Sequence, residues 1–566
     1  MGPNDEARAG DRKTPQRSPS NRHAACGSVQ AVRWVLALLL AALVAQAVLS
    51  MQQLSASTDE LTHLPSGYSY LATGEVRLNP QHPPLMKLLS AAPLLALEPD
   101  FDHAALASEA RLPNEWAFGF RFLYRNDVDQ LLFWGRLPVV ATAVLLAAYV
   151  FVWARRLFGD AAGAAALFLC AFSPTLIAHA RLVTFDVPLA CFSTMALYHL
   201  WRHEQSGRGL HLALSGVGLG LAMATKYSGL LLLPTFALLL APRALGWPRG
   251  NGPAPAGGPA RGAHALTTFF VAFAIGLAVV QASYLFSSDP LIYWKGALRV
   301  NVDHNPNYAY YLLGRFDPDG FWYYFPAAFL FKTPLPALIA IGAALVSVRR
   351  FPTPRRRDEL FLAVPVAVFG VGTALLADEM GVRYLLPIYP LLFVFASRLG
   401  PAAVASRRAR IAAAILAVWY AAGTLRVFPD HLAYFNELAG GPENGHEILD
   451  DSNIDWGTDI KRLAAWLERE GVEEIRLRYA GHPFSSAAHY GIRAEPLEER
   501  DWKTPPRPGV YVLGTHVLIR GRLQAAQQGV ATDWLDRYEP RARVGYSLWV
   551  YEFPQPATPM GTLTGP

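Results

Sequence analysis

Acids and cations in this sequence stand at the ends of long apolar runs, where ionisable groups are costly to keep and therefore informative. Asp59 and Glu60 follow the run Val32–Leu49, with His63 just beyond, and His82 and Lys87 lie in Gln81-His82-Pro83-Pro84-Leu85-Met86-Lys87. Arg181, Thr184 and Asp186 make a tight link between two further runs. Lys226 separates another two, and Asp378, Glu379, Arg383 and Tyr384 open a later one. A carboxylate beside several fixed cations can do a definite chemistry: the cations stabilise a phosphate and the carboxylate takes a proton from an incoming nucleophile. A phosphate at membrane depth most simply belongs to a lipid whose tail stays in the bilayer. No Walker loop or Rossmann glycine pattern offers a soluble nucleotide donor a site.

Each of these residues also has a structural reading. Asp59 and Glu60 could cap a following interfacial helix. Arg383 and Lys226 could be cations snorkelling at helix ends, and Arg181 with Asp186 an ion pair that fixes a short loop. His82, between polar residues and two prolines, could only shape a turn. The aromatic stretches Tyr308–Tyr311 and Phe321–Phe325 fit an interfacial belt, with a sugar- or lipid-facing lid as the alternative.

The elements that must position these groups are membrane helices. Of 566 residues, 52% are hydrophobic and 17% charged, well under the roughly one quarter usual in soluble domains. Eleven apolar runs are expected to span: Val32–Leu49, Leu131–Trp153, Ala161–Ala178, Val187–Trp201, Leu210–Ala224, Ser228–Leu240, Ala265–Phe286, Phe321–Val348, Leu360–Ala377, Tyr384–Ala396 and Ile411–Val427. Several fall short of the roughly twenty residues that a perpendicular span wants. Leu88–Leu97 is too short to span and reads as an interfacial helix.

Alternate loops carry Arg155/Arg156, Arg202/Arg208, Arg243/Arg249/Arg261, Arg349/Arg350/Arg355/Arg356/Arg357 and Arg407/Arg408/Arg410. By the positive-inside rule these lie in the cytoplasm, with a disordered basic arm at 1–30 and a Pro/Gly/Ala-rich linker at 242–263. The membrane domain is then 31–427, with outer loops at 51–130 and 287–320. The remainder, 428–566, follows as an extracytoplasmic α/β domain built on the helical pattern Asp459–Glu470 and the strand-like runs Glu474–Tyr479, Val510–Leu513 and Ser547–Phe553. The protein is expected in the plasma (inner) membrane of a cell envelope, N-terminus in the cytoplasm. The net charge of +6 comes from the loop arginines and does not point to nucleic acid. The three cysteines match neither metal spacing nor a disulfide framework.

The motifs resemble a known family. Thr58-Asp59-Glu60 through His63, Gly67, Tyr70-Leu71, Thr73-Gly74, Leu78-Asn79 and Gln81-His82-Pro83-Pro84 is similar to the first outer loop of type C glycosyltransferases. The nearest group is family 39, which includes the protein O-mannosyltransferases and the bacterial aminoarabinose transferase of lipid A. Ala180–Pro188, Lys332-Thr333-Pro334-Leu335-Pro336 and Arg383–Pro390 resemble later signatures of that family. Tyr434-Phe435-Asn436-Glu437 and Asp451–Gly457 are similar to segments of its bacterial members.

The resemblance implies transfer from a polyprenyl-phosphate-linked sugar to a protein, lipid or glycan acceptor outside the cytoplasm. It places the catalytic carboxylate on Asp59, with Glu60 and Asp186 as further acids of the site. Lys87 and Arg383 are the leading phosphate ligands, with Arg181, Lys226 and Tyr384 behind them, and His63 and His82 fall to the acceptor or the loop. Some type C enzymes hold a divalent metal with such acids and others do not; the candidate ligands are Asp59, His82 and Asp186. A transporter or flippase of a lipid-linked glycan is the competing function. It would place polar and broken-helix residues near the midplane, usually with an internal repeat, whereas these charges gather at one surface. A binding module on a membrane anchor needs far fewer spans.

Overall fold

The computed structural model describes residues 19–104, 106, 114–245, 258–300, 308–479, 486–497, 507–527, 529 and 538–554. Among these, six helices are long and apolar enough to cross a membrane: Val32–Met51, Val128–Phe158, Tyr227–Ala244, Arg261–Ser283, Arg356–Leu376 and Val382–Ala405. Two bent pairs, Asp160–Ala171 with Pro174–Ala180 and Tyr324–Lys332 with Leu335–Val346, raise the number to eight if each is one span. The other expected spans also fold as helices but miss that measure for readable reasons. Asp186–Ser206 carries Asp186, Arg202 and Glu204, Gly209–Thr225 is only 17 residues long, and Arg407–Arg426 has arginines at both ends.

The run expected to span from Phe321 to Val348 is not one helix. Its halves meet at a bend of 111° at Thr333-Pro334, where proline removes a backbone donor and disfavours helix in the residue before it. Residues 1–18 of the expected disordered arm lie outside the described residues, while Pro19–Gln30 belongs to the first helix, Pro19–Met51. The middle of the expected linker, 246–257, also lies outside them, and its ends continue the helices Leu232–Ala244 and Gly258–Ser283. The interfacial segment forms as expected, as Leu85–Ala91 followed by a 3-10 turn over Ala92–Leu97.

One apolar cluster runs through the helices, with Trp153, Phe236, Tyr324, Tyr389 and Phe393 fully buried in it. Small residues let helices approach: a Cβ on Gly220 would lie 2.5 Å from the Gly276 carbonyl oxygen. The C-terminal residues carry a five-stranded sheet in the order Arg493–Pro496, Glu474–Arg478, Gly509–Gly514, Leu548–Phe553, Ala542–Val544. The first three strands run parallel and the last two join antiparallel. Helix Ile460–Glu470 packs Ile460, Leu463, Trp466 and Leu467 against this sheet, a spacing that puts all four on one helical face. Two strands (Arg493–Pro496 and Ala542–Val544) and the helix Thr515–Gln527 have no counterpart in the sequence reading; the strands are three or four residues long and one is exposed throughout.

The signature segments find one another across the chain. Asn436 fills the helix break: its Nδ2 donates to Leu330 O (2.6 Å) and Thr333 O (2.8 Å). Lys332 Nζ donates at 2.7 Å to Leu432 O and to Asn453 O. Backbone groups freed by the proline are thus satisfied by a side chain from over 100 positions away.

Candidate active site

Asp59 sits at the N-cap position of helix Glu60–Thr73, yet its backbone is already helical (φ −65°, ψ −35°) and its side chain makes no capping bond. The carboxylate is directed to Arg383 instead, whose Nη1 donates to Asp59 Oδ2 at 2.8 Å. A second pair lies beside it, with Lys226 Nζ donating to Asp186 Oδ1 at 2.7 Å. Tyr384 bridges the two. Its ring centre is 4.2 Å from Lys226 Nζ and 5.3 Å from the Arg383 guanidinium carbon, distances at which a cation is attracted to an aromatic face. Two carboxylates, two cations and one phenol therefore meet at the ends of four elements. Of the four charged side chains Asp59 is the most open, at 22% exposure, against 13% for Arg383, 10% for Lys226 and 3% for Asp186.

His63 and His82 join the same cluster. His63 Nδ1 is 2.9 Å from Val183 O, and the two imidazoles pack against Phe185, His63 tilted at 4.1 Å and His82 edge-on at 4.8 Å. Burial holds His63 down to about 4, against the pull of Asp59 and with the push of Lys87 and Arg383. His82 is likewise held well below the ordinary range by burial and by the neighbouring His63, Lys226 and Lys87. Both rings are therefore neutral at neutral pH. The Nδ1 of His82 is buried without a hydrogen-bond partner.

Three expected site residues are placed elsewhere. Glu60 has no exposed surface, and both its oxygens are engaged. Arg136 Nε and Nη2 each donate to it at 2.7 Å, and the Ser57 and Val183 backbone N–H groups donate at 2.9 Å. Burial alone would raise this carboxyl, but Arg136 and the backbone donors hold it below its usual range. That is an anchor for the segment leading into helix Glu60–Thr73, because every lone pair is already committed. Lys87 is fully buried and its ammonium turns into its own loop, donating to Asn79 O, to His82 O at 2.9 Å and to Tyr70 Oη at 3.3 Å. Burial pulls it down to about 7, with Glu115 acting the other way. With all three donors occupied it pins the 79–82 loop rather than facing a phosphate. Arg181 donates to Pro429 O, just past the helix Arg407–Arg426, and burial lowers it to about 10.

Sequence reasoning missed Arg136, His179 and Trp456. Arg136 was detectable as a lone arginine inside the run Leu131–Trp153; it is 1% exposed and also donates to Met51 O and Ser55 O at 2.8 Å. Trp456 lies 4.5 Å from the Arg383 guanidinium and 5.6 Å from the His179 ring. Among the described residues no group of three or more His, Cys, Asp or Glu is arranged to hold a metal ion. Of the candidate metal ligands, Asp59 and Asp186 are each taken up by a basic side chain. The aromatic stretch is tied down rather than free-standing: Tyr308 donates to Asp451, Tyr310 to Asp378 at 3.2 Å and Tyr311 to His446 O at 3.0 Å.

Residues 128–249 match the family model of dolichyl-phosphate-mannose-protein mannosyltransferases. That stretch contains Arg136, Arg181, Asp186 and Lys226. Comparison with curated proteins gives no match. Solved structures similar to this chain include ArnT from Cupriavidus metallidurans bound to undecaprenyl phosphate, at 14% identity over 92% of this chain and 98% of that one, with a TM-score of 0.47. An oligosaccharyltransferase from Archaeoglobus fulgidus is 13% identical over 68% of this chain and 53% of that one, TM-score 0.42. The S. cerevisiae Pmt1–Pmt2 protein O-mannosyltransferase complex bound to the sugar donor is 15% identical over 48% and 34%, TM-score 0.33. The family match covers 122 of the 566 residues and leaves the segment 58–84 outside it.

Proposed function

We propose that this chain is a membrane glycosyltransferase that moves a sugar from a polyprenyl-phosphate donor to an acceptor hydroxyl at the extracytoplasmic membrane face. The observation that carries the reading is the Asp59–Arg383 pair beside Asp186–Lys226, with Asp59 the most exposed of the four. In this reading Asp59 accepts the acceptor hydroxyl's proton while the oxygen bonds to the anomeric carbon. The bond from that carbon to the phosphate oxygen breaks, its electron pair leaves with polyprenyl phosphate, and the configuration inverts in one displacement. A positioned base contributes about a hundred- to ten-thousand-fold. Arg383 and Lys226 stabilise the charge that grows on the leaving phosphate, where fixed cations act most strongly. Tyr384 holds both cations in place, and Asp186 sets the position of Lys226. A threading with about eleven spans, a cytoplasmic N-terminus and an extracytoplasmic 428–566 places all of these groups at one face.

The test is transfer of labelled sugar from a panel of polyprenyl-phosphate sugars by the purified chain in nanodiscs, with the anomeric configuration of the product read by NMR. Transfer with inversion is expected. Retention of configuration overturns the single displacement, and movement of labelled lipid across proteoliposomes without transfer replaces the enzyme by a flippase.

A further inference from the structure

The cluster is held together from outside the helices. Ser55 N donates to Thr458 O and Thr58 N to Trp456 O, each at 3.0 Å, and Ser55 Oγ reaches Gly457 O at 3.2 Å. This short lacing ends one residue before Asp59. On the other side, Ser452 Oγ donates to Met380 O at 2.6 Å and Val382 N to Asn453 Oδ1 at 3.0 Å, which fixes the backbone just before Arg383. Between these two sets of bonds the Trp456 ring lies 4.5 Å from the guanidinium of Arg383. Both members of the Asp59–Arg383 pair therefore hang on one seven-residue segment, 452–458, that follows all the candidate membrane helices among the described residues.

The segment is itself braced. Gly457 has φ +75°, a backbone state that disfavours any side chain, and its N–H donates to Asp455 Oδ1 at 3.1 Å. Asp455 is buried, and its other oxygen faces the N–H of His516, in the helix Thr515–Gln527, at 3.5 Å. Lys332, at the helix break, clamps Asn453 O. A shape this constrained, with its backbone bonds spent on two catalytic loops, is more than a connector.

We propose that residues 452–458 are a positioning element of the active site, and that Trp456 is the positioning residue that sets Arg383 against Asp59. The C-terminal region is then a working part of the membrane site, not an appendage. The inference deepens the proposed function and rests on it for its kinetic consequence, but not for its structural one. Removing the Trp456 ring frees the guanidinium and loosens the lacing to Ser55 and Thr58. Turnover falls because charge stabilisation depends on placement to a fraction of an ångström.

The experiment uses the full chain in nanodiscs, as wild type, Trp456→Ala, Trp456→Phe and Asp59→Asn, with two readouts. Hydrogen exchange by mass spectrometry follows peptides covering 54–64 and 379–386, and steady-state transfer follows kcat and KM for a polyprenyl-phosphate sugar that wild type turns over. Trp456→Ala is expected to exchange faster in both peptides, with unchanged protection elsewhere, and to lose about ten- to a hundredfold in kcat with little change in KM, the pattern of a lost transition-state interaction. Trp456→Phe, which keeps an aromatic face, is expected to lie between Trp456→Ala and wild type and guards against Trp456→Ala failing to fold. Unchanged exchange in both peptides overturns the positioning role. Full activity of Asp59→Asn overturns the proposed chemistry instead, leaving the exchange result to decide the positioning role.

Discussion

The Glu60–Arg136 pair gives the sharpest separation of structure from chemistry, because Glu60 stands next to Asp59 and shares its charge. Both side chains are at most 1% exposed, and two bonds of 2.7 Å join them. Glu60→Gln leaves the Arg136 guanidinium buried without its counter-charge, a loss worth about 3–5 kcal/mol. Arg136→Met leaves Glu60 buried without its counter-charge and also orphans the Ser55 carbonyl, a buried acceptor costing about 1–3 kcal/mol more. The two losses share one interaction, so the double variant falls short of their sum by about 2–3 kcal/mol. The assay is unfolding in detergent by heat and by denaturant, with transfer measured per folded molecule at saturating donor. The expected result is a large drop in stability for Glu60→Gln with turnover of the folded fraction close to wild type. A Glu60→Gln protein that unfolds like wild type yet fails to turn over would refute the reasoning and put Glu60 among the catalytic groups.

The other expectations concern loop anchors and pH. Lys87→Met is expected to unfold more easily, since Asn79 O and His82 O lose their donor, while donor KM stays within about twofold. A tenfold rise in KM at unchanged stability would restore Lys87 as a phosphate ligand. For Asp455, burial raises the carboxyl to about 7 in the folded chain, whereas an unfolded aspartate titrates near 3.9. Between those values the native state keeps a proton that the unfolded state has lost, so stability falls as pH rises from about 4 to about 7 and is level above that. Asp455→Asn is expected to remove that part of the slope, raising Tm at pH 8 by about 3 °C. An unaltered pH–Tm profile in Asp455→Asn would mean that Asp455 is ionised when folded.

Much of the candidate cluster was legible because membranes make charge conspicuous. Asp59, Asp186, Lys226, Arg383, Tyr384, His63 and His82 stood out as polar groups at apolar boundaries, and the fold gathers them. What could not be read was where each long side chain turns. Lys87 and Arg383 look alike in one dimension, yet Lys87 is captured by backbone carbonyls five and eight residues away, while Arg383 crosses 324 positions to reach Asp59. Arg136 was hidden for the opposite reason: it interrupts an apolar run without ending it, and its partner Glu60 lies 76 positions away on a segment that folds back on that helix. The bend at Thr333-Pro334 had a visible proline, but an apolar stretch on both sides reads as one span. Least legible was the lacing of 55–58 to 456–458, which depends mainly on main-chain bonds between segments far apart in the chain, such as Ser55 N to Thr458 O and Thr58 N to Trp456 O, and leaves no pattern in side-chain type.

The most direct test of the central claim is turnover by Asp59→Asn beside wild type, with donor binding measured on the same preparations. Asparagine keeps the shape of aspartate and removes its basicity. The account predicts that Asp59→Asn folds, binds the polyprenyl-phosphate sugar and transfers it at least about a hundredfold more slowly, the lower bound for loss of a positioned base. Transfer by Asp59→Asn at the wild-type rate would contradict it.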